Sequence, residues 1–295
     1  MSCAKPGAIF YICFACALFA IVGEKKLDNS MKKYLAVIKT EWQRQLTYRV
    51  NQFTFRIGNI FDILIQIIIW TAIFRNTSNI KGYSYQEMMT YIIIGWLLTF
   101  LMANFGFEGI ISRHVQRGEL SNFLSKPIDY VNYLIFLSLG RCSFSLAIAF
   151  LTNLILLLIF RKNFIFTSNM FMWPVLIAMI LFGYFIKLFI SILVGFISFW
   201  TIDNEGMFYS IKTLERFLGG VYFPLNILPA VFLNISLTLP FIYTFYFPAQ
   251  LYLGKISVMR GLIGLGVEII WLAVLYALIR IVWKAGIKKF ESVGI

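Results

Sequence analysis

The sequence predicts an all-α polytopic membrane protein. It would have six transmembrane helices, an N-terminal amphipathic interfacial helix, and an outer re-entrant region of short helices before the last span. Three observations predict it. The 295 residues are 60% hydrophobic, 18% aromatic and only 13% charged, whereas soluble domains hold about 25% charged and about 45–50% apolar residues. Apolar runs recur at the length of about 20 residues that crosses a bilayer. The Lys and Arg residues behind the net charge of +13 gather between those runs. That is the distribution topology requires, and it excludes the single basic face of a nucleic-acid binder.

Residues 1–30 stand apart. Ala8–Val22 is apolar but shorter than the usual spanning length of about 17–25 residues. It reads in three ways. It is a signal-like apolar region, though no small-x-small cleavage site follows. It is an extra helix with Lys25 and Lys26 at a cytoplasmic flank. Or it is upstream of a natural start at Met31. We take the third reading and treat residues 1–30 as an extension to a single transmembrane domain, residues 31–295.

From Lys32 to Ile57 the apolar residues Leu35, Ile38, Trp42, Leu46, Val50, Phe53 and Ile57 recur every three or four positions. Lys32, Lys33, Lys39, Arg44, Arg49 and Arg56 are interspersed. This is a basic amphipathic helix suited to a membrane surface, or to packing on its own protein. Six spans follow: Gly58–Phe74, Met88–Ile111, Tyr130–Phe160, Met170–Trp200, Gly206–Phe223 and Gly261–Trp283. The third and fourth are long, which predicts tilt or bending. Between the fifth and sixth, Pro224, Pro229, Pro240 and Pro248 interrupt an apolar stretch. Proline removes a backbone donor and breaks helices, and freed backbone groups in lipid must be satisfied by protein or water. Short outer helices that dip back into the membrane are therefore expected.

With the N-terminus of this domain inside, the inner segments carry Lys32, Lys33, Lys39, Arg44, Arg49, Arg56, Arg113, Arg117, Lys126, Lys212, Arg216, Lys284, Lys288 and Lys289. The outer ones carry Arg75, Lys81, Arg161, Lys162, Lys255 and Arg260. The excess places both ends in the cytoplasm. On this topology "RHVQRGELSNFLSKP" (Arg113–Pro127) is a cytoplasmic loop between the second and third spans. It lays out a helix exit, a break at Gly118, a short turn of helix with Glu119 near its positive end, and a stop at Pro127. Phe123 and Leu124 offer apolar contacts. It is too short to fold alone and too apolar for a linker, so it is expected to dock on a partner. The alternative is a solvated loop that only fixes topology.

At this point the sequence resembles the type-2 ABC exporter permeases, the bacterial six-span membrane subunits that work with a separate ATPase. The resemblance covers nearly all of Met31–Ile295. It rests on "MKKYLAVIKTEWQRQLTYRVNQF", on "ISRHVQRGELSNFLSKPID" and on "FPLNILP…LPFIYTFYFP". In that family a Gly-Glu followed by a Leu-x-x-Pro-like pattern marks the segment that meets the nucleotide-binding subunit. Gly118, Glu119, Leu120, Leu124 and Pro127 match it, with Arg117 and Phe123 in the same stretch. The resemblance implies an ATPase partner, a second permease subunit (the same chain or a different one), and a bacterial cytoplasmic membrane. ATP and Mg would belong to the partner, and no cofactor to this chain.

The chain has no G-x-x-x-x-G-K-[ST] loop, so it holds no recognisable phosphate cradle of that kind, and it is expected not to be an enzyme. Its single histidine, His114, lacks the Cys or carboxylate neighbours in sequence that a metal site or triad would show. Charged and polar residues inside spans are costly. Asp62 and Gln66, four apart on one helix face, Arg141, Lys187 and Glu268 are therefore candidates for a polar route or a subunit interface. Alternatively Asp62 and Arg141 snorkel or pair with each other. A secondary transporter would show inverted repeats, and a lipid-modifying enzyme would show a His, Asp or Glu constellation near one interface. Neither pattern stands out. The cargo is not encoded in any motif.

Overall fold

Apolar spacing at three and four residues dominates the chain, and helices follow from it. The computed structural model describes residues 29–47, 49–102, 106–167, 169–201 and 205–290. The expectation for Ala8–Val22 lies outside them. The described part is nearly all-α. Its only strands are a two-residue antiparallel pair, with Asn79 opposite Ser84 and Ile80 opposite Tyr83.

The first helices are α1 (Asn29–Thr47) and α2 (Arg49–Ile73). The sequence reading divided this region at Gly58, and that is corrected. α2 runs from Arg49 through Gly58 to Ile73 without interruption. A Cβ at Gly58 would meet nothing within 4 Å. Beyond it Ile63, Ile67 and Trp70 are buried at helical spacing against the next helix, which outweighs the helix cost of one glycine, about 1 kcal/mol. α1 packs along a long helix, α6 (Tyr130–Ile159). Tyr34 stacks on Phe136 with ring centroids 4.8 Å apart, and Trp42 Nε1 donates to Ser143 Oγ at 2.7 Å. α1 thus packs on its own protein through Tyr34, Trp42 and the buried Glu41 and Gln45, while Leu46 stays exposed.

The hairpin leads into α3 (Tyr85–Leu101). Ser84 and Glu87 form a capping box there: Ser84 Oγ accepts from Glu87 N at 3.3 Å, and Ser84 N donates back to Glu87 Oε2 at 2.8 Å. The expected second span, Met88–Ile111, is not one helix. α3 stops at Leu101 and α4 (Phe107–Gln116) starts after Gly106. Gly106 has φ +66°, a left-handed conformation through which an α-helix cannot run.

A one-turn helix, α5 (Ser121–Leu124), precedes α6, and α7 (Met172–Phe196) continues into a 3₁₀ turn, Ile197–Phe199. Then come α8 (Glu205–Leu218), a 3₁₀ turn at Leu225–Ile227, α9 (Ala230–Leu237), α10 (Phe241–Thr244), α11 (Tyr246–Tyr252) and α12 (Val258–Lys289). The expected span Gly206–Phe223 is corrected to the 14 residues of α8. At 1.5 Å per residue these rise about 21 Å, less than a hydrocarbon core of about 30 Å. The helix is ended by Gly220, whose φ is +78°, with Gly220 N and Val221 N returning to Phe217 O and Arg216 O at 3.1 and 3.0 Å. The prolines fall where helices tolerate them. Pro224, Pro229 and Pro240 sit at the N-caps of the short elements, and Pro248 lies in the first turn of α11.

Two helices among the described residues are long and apolar enough to cross a membrane, Met172–Phe199 and Val258–Lys289. α7 is the hub. It lies along α12 and also meets α4, α10 and α11. Its buried residues join those of α3, α4, α6 and α12 in one core. α12 keeps Leu262, Ile263, Ile269, Ile270 and Ile281 exposed on its outer side, as a lipid-facing helix does.

Candidate functional site

The predicted docking segment folds as the close of α4 followed by a single helical turn. Gly118 has φ +72° and ends α4. Its N–H donates to Val115 O at 3.3 Å, and Leu120 N donates to His114 O at 2.8 Å. This wraps the chain back across the helix end, a conformation glycine adopts without a Cβ penalty. Ser121 Oγ then donates to Gly118 O at 2.7 Å. The segment finishes at Asp129, whose Oδ1 accepts from Asn132 N at 2.9 Å at the start of α6.

Three anchors hold this piece. Phe123 is half-buried among His114, Tyr130 and Tyr133, at centroid distances of 4.9, 5.4 and 4.7 Å. Tyr130 stacks on Trp283 of α12 at 5.0 Å, and His114 Nδ1 shares a hydrogen bond with the Tyr130 hydroxyl at 2.8 Å. Arg280 Nη1 of α12 donates to Asp129 Oδ2 at 2.7 Å. Lys33 Nζ of α1 donates to Pro127 O at 3.4 Å. Burial opposes charge on Asp129, yet the Arg280 contact and the α6 backbone hold its carboxyl below the usual carboxylate range. Burial also lowers the His114 pKa from its ordinary value.

The residues expected to touch a partner separate into two sets. Leu120, a match to the family's coupling pattern, is fully buried and so is corrected from a contact residue to part of the chain's own core, beneath the turn. Phe123 is largely committed to the aromatic cluster. Arg117, Glu119, Leu124 and Pro127 are exposed and form the outward face.

Asp62 and Gln66 do share a face. They line a cavity of about 330 Å³ with Trp96 and Thr99 of α3 and Arg216 and Tyr222 from α8 and its exit. The pairing of Asp62 with Arg141 does not occur. Arg141 instead lies 3.6 Å from Glu41 Oε1 of α1. Glu41 is buried and also accepts from Arg44 at 2.7 and 2.8 Å and from Gln45 at 2.6 Å. Lys187 pairs with Glu215 at 2.9 Å, joining α7 to α8. Glu268 is fully buried, and neither carboxyl oxygen has a hydrogen-bond partner among the described residues.

Sequence reasoning missed Glu41 and Glu108. Glu108 Oε1 accepts from Ser191 Oγ at 2.8 Å, and its Oε2 pairs with Lys212 at 3.0 Å. The signals were present. Glu108 stands inside the apolar run Met88–Ile111, and Glu41 is the one acid of a basic helix. Arg280 was missed as well, although it stands inside the expected span Gly261–Trp283; its pairing with Asp129 gave no signal, since only the fold brings α12 back to the start of α6.

The family model described as "ABC-2 family transporter protein" matches residues 60–294. No curated protein matches the chain. The match contains two of the three stretches on which the resemblance rests and begins after the third. It spans the core and all of residues 113–127: the chain belongs to the ABC-2 family of transporter proteins and is a membrane protein.

Proposed function

We propose that this chain is the permease subunit of an ABC exporter that moves its cargo across a bacterial cytoplasmic membrane, with ATP and Mg bound and hydrolysed in a partner subunit. The observation that carries this reading is the family match over residues 60–294 in a chain whose sequence has no Walker-type phosphate loop. Permeases of this family normally work with an ATPase partner. In this reading α2, the α3–α4 pair, α6, α7 and α12 are five of the six spans, and α8, too short to cross alone, makes the sixth only together with residues 219–223 that follow it. Two permease subunits form the working unit, the four-proline region lies on the outer side, and both ends of residues 31–295 face the cytoplasm.

The coupling surface in this proposal is the outward face of residues 117–127. Glu119 supplies charge and Leu124, 47% exposed, supplies an apolar contact. Gly118, Leu120 and Phe123 make that face rigid. A push on α5 then passes through Phe123 and Tyr130 into α6 and α12, because tightly packed side chains transmit displacement. The test is a Glu119→Lys, Leu124→Ala double variant co-expressed with its ATPase partner. We expect it to reach the membrane with an unchanged melting temperature and to lose ATPase co-purification by about tenfold or more, as loss of interface anchors does. Full retention of the ATPase by the double variant would remove this face from the interface.

A further inference from the structure

A second cavity, of about 480 Å³, lies between α1, α4 and α6. Its lining combines two chemistries: the apolar Val37, Ile110 and Leu137, and the cationic Lys33, Arg44, Arg113 and Arg117. Two carboxylates also line it, Glu41 and Glu119, so cations exceed acids by four to two. The charges are not equally committed. Arg44 is held in a two-pronged pair by buried Glu41. Lys33 reaches Pro127 O at the edge. Arg113 Nε bonds Gly109 O of its own helix at 3.3 Å, and Glu119 is exposed at the rim.

We infer that this cavity binds an anionic phospholipid, its phosphodiester against Lys33, Arg113 and Arg117 and part of an acyl chain against Val37, Ile110 and Leu137. A phosphate oxygen accepts charge-assisted hydrogen bonds from Lys and Arg, and each cation near an anionic headgroup favours it electrostatically. The apolar lining residues distinguish a lipid from free phosphate, which has no use for aliphatic contact. The setting agrees, because α1 carries Lys32, Lys33 and Lys39 exposed along one helix of a membrane protein. Such a lipid would bridge α1 to α4, the helix that leads into Gly118–Pro127. The inference goes beyond transport and does not depend on an ATPase.

The test uses the purified full chain in mild detergent and native mass spectrometry with phosphatidylglycerol and phosphatidylcholine. We expect phosphatidylglycerol to be retained in preference, and its binding to weaken by about tenfold or more in a Lys33→Gln, Arg113→Gln variant. A Lys81→Gln, Arg161→Gln variant, which removes two exposed cations outside the cavity, should bind as the wild type does. Equal retention of the two lipids, unchanged binding in the first variant, or displacement by millimolar inorganic phosphate would overturn the assignment. Should the first variant fail to fold, a photoactivatable phosphatidylglycerol on the wild-type chain decides. Crosslinks within residues 32–44, 107–119 or 130–140 support the site, and crosslinks confined to other segments refute it.

Discussion

One imidazole sits at the junction of α4, α5 and α6. His114 packs against Phe123 with the rings tilted and hydrogen-bonds Tyr130, and burial holds its pKa below the ordinary histidine value. The sign of the consequence follows from proton linkage. Between the folded and unfolded pKa the unfolded chain binds more protons, so stability rises with pH. The contribution is full above the unfolded value of roughly 6.5 and is lost as pH falls through the folded one. Thermal unfolding in detergent should therefore show a lower midpoint at about pH 5.5 than at about pH 7.5, and His114→Gln should reduce that difference. An equal pH response in the variant would assign the loss to other groups. Asp129, whose pKa is also depressed, acts in the same direction at lower pH: its contribution is present above roughly 3.9 and lost as pH falls through its folded value.

Among the elements, the crossing of α4 over α7 is the tightest point bearing on the docking segment. A Cβ at Gly195 would lie 2.8 Å from both Cβ and Cδ1 of Ile111. Ile111 is fully buried, so neither helix can give way without disturbing the core. Gly195→Ala should destabilise the protein by about 1–3 kcal/mol, as overpacking does. Gly58→Ala is its counterpart in the middle of α2, where a Cβ meets nothing within 4 Å. It should stabilise by about 0.5–1 kcal/mol through helix propensity. Denaturation midpoints of the two variants should move in opposite directions. A shift of the same sign in both would mean that Gly195 is not a close-packing position.

For the molecule as a whole the question is orientation. The Lys and Arg excess puts Ser121 and Lys289 on one side and Gly82 and Phe164 on the other. The structure contains a matching link, since Asp129 and Arg280 place the start of α6 beside the last turns of α12. With the native cysteines replaced, Ser121→Cys should resist a membrane-impermeant thiol reagent in intact cells and react after permeabilisation. Phe164→Cys should react in intact cells. The reverse pattern would invert the topology and move the docking segment outside.

Composition and spacing by themselves determined the class of this protein. An all-α membrane chain follows from apolar runs that no soluble core accommodates, and the helix exit at Gly118 and the four-proline region were legible because glycine and proline restrict the backbone locally. The family resemblance was likewise carried by short contiguous stretches. What lies between distant residues was settled only by the tertiary structure. Leu120, Phe123 and Leu124 look alike in sequence, yet one is core, one is an aromatic anchor and one is surface, because the chain reverses at Gly118 and turns each a different way. Arg141 met Glu41 rather than Asp62 because α1 folds back along α6. Pairings of that kind depend on which helix lies beside which, and periodicity along a single helix carries the direction of a face but not the identity of what covers it.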